Sequence, residues 1–286
     1  MTRSVELHGH RGARGLLPEN TLPGFAHALD LGVDAVELDV GLSADGVVVL
    51  GHDQVLSPVT LADTAPAHPD DPAFPYVGKA VRDLTLAQLR TLDAGTRRAG
   101  DAFAGTQRPV PGTRIPTLAE VCALLAPSGV APAVELKTDP SWPGPLVARF
   151  VAAVTDVLDA AGLTARSRLL AFDWRVLTAT PREFGRVALV ERKTLVPDSP
   201  WLAGLPARDP VASAAAAGAT VLSPEHTITT PGLVDDAHDA GLAVAVWTVN
   251  DPEDMTRFAK YGADAIVTDY PDVAARVLDE NAGGAG

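Results

Sequence analysis

The first chemical signal in this chain lies in two short apolar runs that each end in charge, AVELDV with Glu37 and Asp39, and AVELK with Glu135 and Lys137. Residues two apart on a strand share a face, so Glu37 points with Asp39, and Glu135 with Lys137. Runs this apolar suit buried strands, and charged residues at the end of a buried strand sit where βα barrels keep their reactive groups. Carboxylates at positions 37, 39 and 135, drawn to one place, repel unless a cation or a proton neutralises them. Oxygen-only donors suit a hard divalent ion, so Glu37, Asp39 and Glu135 are candidate ligands for Ca2+ or Mg2+. The alternative for any one of them is a solvated strand-end charge.

Histidines supply candidate proton chemistry. The first apolar run ends in His8-Gly9-His10-Arg11-Gly12, with His8 and His10 on one face and Arg11 beginning a loop. Asp45-Gly46 signals a hairpin turn between ELDVGLSA and VVVLGHD. A turn centred on those two residues sets His52 opposite Asp39, beside the candidate metal; the alternative is an exposed hairpin tip. Two histidines on a first strand also fit the metal site of amidohydrolase barrels. That reading needs further histidines on later strands, and none occurs between His68 and His226. The carboxylates are then the ligands, and His10 is left for proton transfer.

Such residues need a scaffold that gathers strand ends. Four stretches share a helix-like segment closed by Gly and followed by an apolar run: Gly32–Val40, Gly218–Glu225, Gly241–Val249 and Gly262–Asp269. Gly suits the left-handed position that ends a helix. Val5–His10, Ala133–Lys137, Leu169–Phe172 and Val187–Val190 bring the buried-strand candidates to eight. Helical patterns separate them at Leu22–Leu31, Leu118–Leu125, Leu146–Ala161, Val176–Thr180, Val211–Ala217, Thr230–Ala240, Pro252–Tyr261 and Asp272–Asp279. Alternation of this kind predicts an α/β fold, a TIM-type (β/α)8 barrel in one domain over 1–286. No Gly-rich dinucleotide fingerprint follows any strand, which disfavours an open doubly wound sheet. Residues 54–115 are rich in Pro, Gly, Ala and Asp, with one helical pattern over Leu84–Leu92. They form an insertion after the second strand and are expected over the barrel mouth.

Charge bounds the partners. The chain has 286 residues, with 36 Asp and Glu against 23 Lys and Arg, a net charge of −13 that repels nucleic acid and anionic lipid. An anionic substrate therefore needs positive charge built into the site. Cys122 is the only cysteine, no signal-peptide stretch opens the chain, and no apolar run approaches the roughly 20 residues of a membrane span. The expectation is a cytoplasmic protein with neither nucleic-acid partner nor stable membrane association.

Together these residues resemble the glycerophosphodiester phosphodiesterases. The likeness rests on His10-Arg11, Pro18-Glu19-Asn20-Thr21, Glu37-Leu38-Asp39 and His52-Asp53, then Leu84-Thr85, Pro116-Thr117-Leu118, Glu135-Leu136-Lys137, Trp247-Thr248-Val249-Asn250 and Thr268-Asp269. It covers nearly the whole chain. Thr21 and Asn250 also read as ordinary helix caps before Pro23 and Pro252. The resemblance implies a divalent ion on Glu37, Asp39 and Glu135, with His10 and His52 as the acid–base pair. The implied substrate is a small glycerophosphodiester cleaved to glycerol 3-phosphate and an alcohol. Arg11 and Lys137 would meet the phosphoryl oxygens, and Trp247, with Phe172 a weaker candidate, would pack on glycerol carbons. Arg14, Pro58 and Ala171 depart from the family pattern, at positions expected on the rim that selects the alcohol. Two other readings are a phospholipase D-like enzyme acting on lysophospholipids, with Ala73–Val77 as an apolar lip, and a catalytically silent barrel that only binds phosphodiester or metal.

Overall fold

The computed structural model describes residues 5–96, 102–103 and 105–283. Nine strands form one sheet: β1 Glu6–Gly9, β2 Ala35–Leu42, β3 Val48–Leu50, β4 Ala131–Leu136, β5 Arg168–Ala171, β6 Gly185–Val190, β7 Val221–Pro224, β8 Ala243–Val246 and β9 Ala265–Thr268. The sheet runs β1-β9-β8-β7-β6-β5-β4-β2-β3, and parallel pairing of β1 with β2 closes it. Only β3 is antiparallel, so the other strands make the closed parallel barrel predicted above.

The helices are α1 Leu22–Asp30, α2 Leu86–Leu89, α3 Leu118–Leu125, α4 Gly144–Ala160, α5 Arg175–Ala179, α6 Pro210–Ala216, α7 Pro231–Asp239, α8 Pro252–Lys260 and α9 Pro271–Gly283. Their ends explain why the repeat was visible in sequence. Thr21, Thr117, Asp209, Thr230 and Asp251 cap helix starts with side-chain oxygens that accept backbone N–H groups, and Pro210, Pro231 and Pro252 follow their caps directly. Gly218 and Gly262 take φ of +81° and +89° just past α6 and α8, a conformation that costs a side-chain-bearing residue energy. The main core fills the layer between strands and helices, where Leu38, Val134 and Val246 meet Phe25, Phe150 and Phe258, all fully buried.

The hairpin forms, but its register differs from the expected one. Val40 pairs with Leu50, Gly41 with Val49 and Leu42 with Val48, and the Gly51 N–H donates to the Asp39 carbonyl at 3.0 Å. Asp39 thus lies opposite Gly51, not His52. The loop is wider than a two-residue turn because Ser43 closes it: its Oγ accepts the Val47 N–H at 2.9 Å and donates to Asp45 at 2.6 Å.

Between β3 and α3 the chain builds a second small core around Leu56, Tyr76, Leu84, Leu89 and Ile115. Its helix covers only Leu86–Leu89, started by a Thr85–Gln88 capping box and preceded by a single turn at Val81–Asp83. The far part of this segment docks on barrel loops. Gln107 donates to the Arg14 carbonyl, the Arg108 N–H donates to the Leu16 carbonyl at 2.9 Å, and Thr106 meets the Tyr270 hydroxyl at 3.3 Å.

Candidate active site

At the C-terminal end of the barrel strands a cavity of about 220 Å3 is lined by His10, Glu37, His52, Glu135, Lys137 and Trp247, among others. Register explains the acidic centre, because β2 and β4 are neighbours that pair Asp39 with Glu135, while Glu37 lies two residues before Asp39 on the same face. Oxygens of Glu37, Asp39 and Glu135 come within 4.8 Å of one another, and all three residues are buried.

The β1–α1 loop wraps this centre. Gly9 is required there, since a Cβ on it would lie 2.1 Å from the Gly12 carbonyl oxygen. Arg11 turns left-handed at φ +49° and its N–H donates to Glu37 at 2.9 Å. Its guanidinium reaches Glu19 at 2.9 Å and Asp39 at 3.2 Å. Glu19 also pairs with Arg14 at 2.8 Å, so one carboxylate holds two guanidiniums. Asn20 grips Asp39 twice: its amide donates to the carboxylate at 2.8 Å and its carbonyl accepts the Asp39 N–H at 3.0 Å. Glu19, Asn20 and Thr21 therefore divide the work of the Pro-Glu-Asn-Thr turn between an arginine clamp, a carboxylate clamp and a helix cap. On the other flank, Lys137 Nζ lies 2.6 Å from Glu135 and 3.4 Å from Asp39.

His10 is held from behind. Its Nδ1 lies 2.6 Å from Asp269 Oδ1, and Asn250 donates to the other Asp269 oxygen at 2.7 Å while accepting the Asp269 N–H. Nε2 of His10 is left toward the pocket, 3.8 Å from Glu37. Asn250 is not the helix cap suggested by sequence, because Asp251 caps α8 and frees Asn250 to orient Asp269. His52 lies at the pocket edge, partly exposed, with Nδ1 2.8 Å from Asp53. Trp247 and Phe172 meet edge to face at 5.5 Å on the apolar wall, and the Trp247 indole donates to the Ser223 carbonyl.

The electrostatics divide the carboxylates. Burial and the neighbouring charges of Asp39 and Glu135 push Glu37 well above the usual carboxylate range. Asp39 is equally buried, but Arg11, Lys137 and His52 outweigh that burial and hold it below the range. One buried Asp39 oxygen, Oδ1, has no hydrogen-bond partner among the described residues. A buried carboxylate destabilised by two others, beside an Asp39 oxygen that accepts no hydrogen bond and meets Lys137 Nζ only at 3.4 Å, fits a bound hard cation. Burial also lowers the His10 pKa, and Asp269 offsets this only in part.

Of the three departures from the family pattern, Arg14 lines the pocket. Ala171 instead faces the helices, fully buried in the outer core, and Pro58 is exposed and away from the pocket lining. Those two are not rim residues. The expected apolar lip at Ala73–Val77 is only partly open: Tyr76 is fully buried, Phe74 packs edge to face against it at 5.3 Å, and Pro75 is exposed. The sequence motifs contain Asp269, Asn250, Asn20 and Glu19, but which side chains they support was not readable from them. A carboxylate ending β9 was the one available signal for the first.

Residues 10–273 match the glycerophosphoryl diester phosphodiesterase family. The chain belongs to that family. A glycerophosphodiester phosphodiesterase from Caldanaerobacter subterraneus subsp. tengcongensis is 30% identical over 268 residues, spanning 92% of this chain and 93% of its own. A solved structure from Silicibacter pomeroyi superposes with a TM-score of 0.85 at 33% identity, covering 99% of this chain and 95% of that one. A phosphodiesterase from Oleispira antarctica, solved in complex with the product sn-glycerol-3-phosphate, superposes at 0.72 with 26% identity over 96% of each chain. Among the described residues no helix is long and apolar enough to cross a membrane.

Proposed function

We propose that this enzyme hydrolyses small glycerophosphodiesters to sn-glycerol 3-phosphate and an alcohol, in one barrel domain whose insertion at 54–115 roofs the mouth. The observation that carries the reading is the buried Glu37–Asp39–Glu135 cluster, set between two histidines. The product complex of the Oleispira antarctica relative supports glycerol phosphate as the product class.

Glu37, Asp39 and Glu135 would hold the divalent ion, Ca2+ or Mg2+. A divalent ion bound there supplies Lewis-acid charge for the phosphoryl oxygens and offsets the charge of the diester. Arg11 and Lys137 add N–H donors on either side of the carboxylates, and the Trp247 face packs on glycerol carbons.

His10 is the base. The ionised Asp269 takes the Nδ1 proton in its hydrogen bond, which leaves the Nε2 lone pair toward the pocket, and burial favours the neutral ring. His10 accepts the proton of the attacking oxygen, either from water, or from the neighbouring glycerol hydroxyl to give a cyclic glycerol phosphate that water then opens. His52 is the acid: it donates its proton to the departing alkoxide as the P–O bond breaks, with Asp53 beside it as the counter-charge.

Leaving-group chemistry tests the assignment. His10→Ala and His52→Ala should each lower kcat on glycerophosphocholine by roughly 10² to 10⁴. On the p-nitrophenyl ester of glycerol phosphate, whose leaving group needs no proton, His52→Ala should recover most of its loss and His10→Ala should not. Equal defects on both esters would reject the division of roles. The lysophospholipid reading is weakened by the burial of Tyr76 in the apolar lip it would favour, and a silent barrel leaves both oriented histidines without a task.

A further inference from the structure

The opposite end of the barrel contains a second cavity that the proposed chemistry does not use. Inward-facing positions of a βα barrel are ordinarily filled by layers of bulky branched side chains. Positions 133, 243, 245 and 265 here are alanine, and the lumen keeps a cavity of about 350 Å3, larger than the catalytic pocket of about 220 Å3. A cavity of roughly 150 Å3 is enough to take up benzene, and small-molecule sites begin near roughly 300 Å3, so this space is of ligand size.

Its walls are apolar and its outer end is polar. Arg168 donates two hydrogen bonds to Glu6, at 2.6 and 2.9 Å, and His8 Nε2 lies 2.8 Å from the same carboxylate. The side chains of Glu6 and Arg168 are 44% and 28% exposed, whereas that of His8 is 5% exposed. The ion pair therefore stands at the opening, with the imidazole beneath it. Ser223 and Glu37 line both this cavity and the catalytic pocket, so the space reaches up toward the acidic centre.

The chemistry of the opening limits what enters. Arg168 is matched by Glu6, and Asp264, whose Oδ2 accepts the Val244 N–H at 2.7 Å and lies 2.9 Å from His238 Nε2, adds a second carboxylate to the lining, so an anion finds no unpaired Arg or Lys there among the described residues. The carboxylates of Glu6 and Asp264 are acceptors, and Nδ1 of His8 is a third in the tautomer whose Nε2 donates to Glu6 at 2.8 Å, the contact that competes with the Arg168 N–H 3.1 Å from the same Nε2. We propose that the N-terminal half of the lumen is a second small-molecule site, for a compact apolar-bodied amine whose ammonium sits among Glu6, His8 and Asp264. A purely structural role for the network, as a staple between β1 and β5, predicts no such ligand.

Benzylamine, benzyl alcohol and benzoate, titrated into the full-length protein by calorimetry and soaked into crystals, provide the test. Benzylamine should bind at millimolar concentration with density in the lumen, benzyl alcohol more weakly, and benzoate not at all. Ala243→Phe, which fills the cavity, should abolish binding. His8→Leu removes one acceptor but keeps the Glu6–Arg168 pair, and should weaken binding by about tenfold. It also carries the test if the larger substitution prevents folding. Neither residue belongs to the proposed catalytic machinery, so glycerophosphodiester hydrolysis should persist in both variants, and its absence from the wild type would concern the proposed function alone. Failure of benzylamine to bind, density elsewhere, equal binding of benzoate, or unchanged affinity in His8→Leu would each overturn the proposal.

Discussion

Asp269→Asn isolates the proton chemistry from the rest of the site. Asp269 is 3% exposed, holds His10 Nδ1 at 2.6 Å and is itself held by Asn250 at 2.7 Å, so an isosteric amide keeps the packing. It does not keep the direction of the proton. An amide N–H turned toward His10 makes Nδ1 an acceptor and moves the ring proton to Nε2, where the lone pair is needed. The base is then lost in the resting tautomer, a defect of roughly 10² to 10⁴ in kcat, or about 2.7 to 5.4 kcal/mol at 1.36 kcal/mol per decade. A coupled assay for released glycerol 3-phosphate reads kcat and KM, and calorimetry reads divalent-ion affinity. Affinity should change little, because Asp269 is not among the clustered carboxylates. The residual activity carries a second signature. Asp269 raises the pKa of His10 against the stronger effect of burial, so removing its charge should move the acid limb of kcat/KM to lower pH. Full activity, or a loss explained by weaker metal binding, would refute the roles given to His10 and Asp269.

The buried carboxylates and the lumen network supply further tests. Glu37 is held above the usual carboxylate range, so in the metal-free protein it keeps its proton to higher pH than a free carboxylate and a divalent ion competes with that proton. Affinity should rise with pH by up to about one decade per unit, with proton release visible in buffers of different ionisation enthalpy; Glu37→Gln should abolish the release, and pH-independent affinity would contradict the reading. Burial lowers the pKa of His8, so the unfolded chain binds its proton more readily than the folded one. Stability should therefore be complete above about pH 6.5 and fall on acidification, and His8→Leu should reduce that slope by about 1.4 kcal/mol per pH unit in denaturant titrations. A variant whose slope equals that of the wild type would show that His8 is not buried neutral.

The barrel was legible because its punctuation is local. Thr or Asp with Pro at helix starts and Gly at helix ends recur around it, and the apolar runs between them admit only buried strands. The acidic cluster was legible for a related reason, since period-two spacing places Glu37 and Asp39 on one face before any partner is known. What stayed hidden depends on contacts that the local pattern does not encode. The hairpin register is set by one Ser43 side chain, and the Ala171 and Phe172 pair splits between outer core and pocket through strand parity alone. Asn250 and Asp251 are both good caps before Pro252, and only closure of the barrel decides that Asn250 turns away to Asp269. His10 and Asp269 meet across 259 residues because β1 and β9 are neighbours, a contact that exists only once the sheet has closed.

The acidic balance of the chain bears directly on how a diester would be admitted. A net charge of −13 disfavours an anion at long range, and the pocket cations do not by themselves reverse this. Lys137 is bound to Glu135 at 2.6 Å, and Arg11 is shared between Glu19 and Asp39, so each positive charge is already spent on a carboxylate. A divalent ion among Glu37, Asp39 and Glu135 would change that balance by two charges at once and draw the same oxygens that now hold Lys137. The ammonium would then have hydrogen bonds to give to a phosphoryl oxygen. On this reasoning metal and substrate would not be independent ligands: the ion would free the donors proposed to recognise the diester, so diester affinity without the ion should be lost in binding as well as in turnover. If the proposed function holds, Lys137 and Arg11 would serve the acidic cluster in one state and the substrate in the other, which would account for cations this deeply buried beside carboxylates.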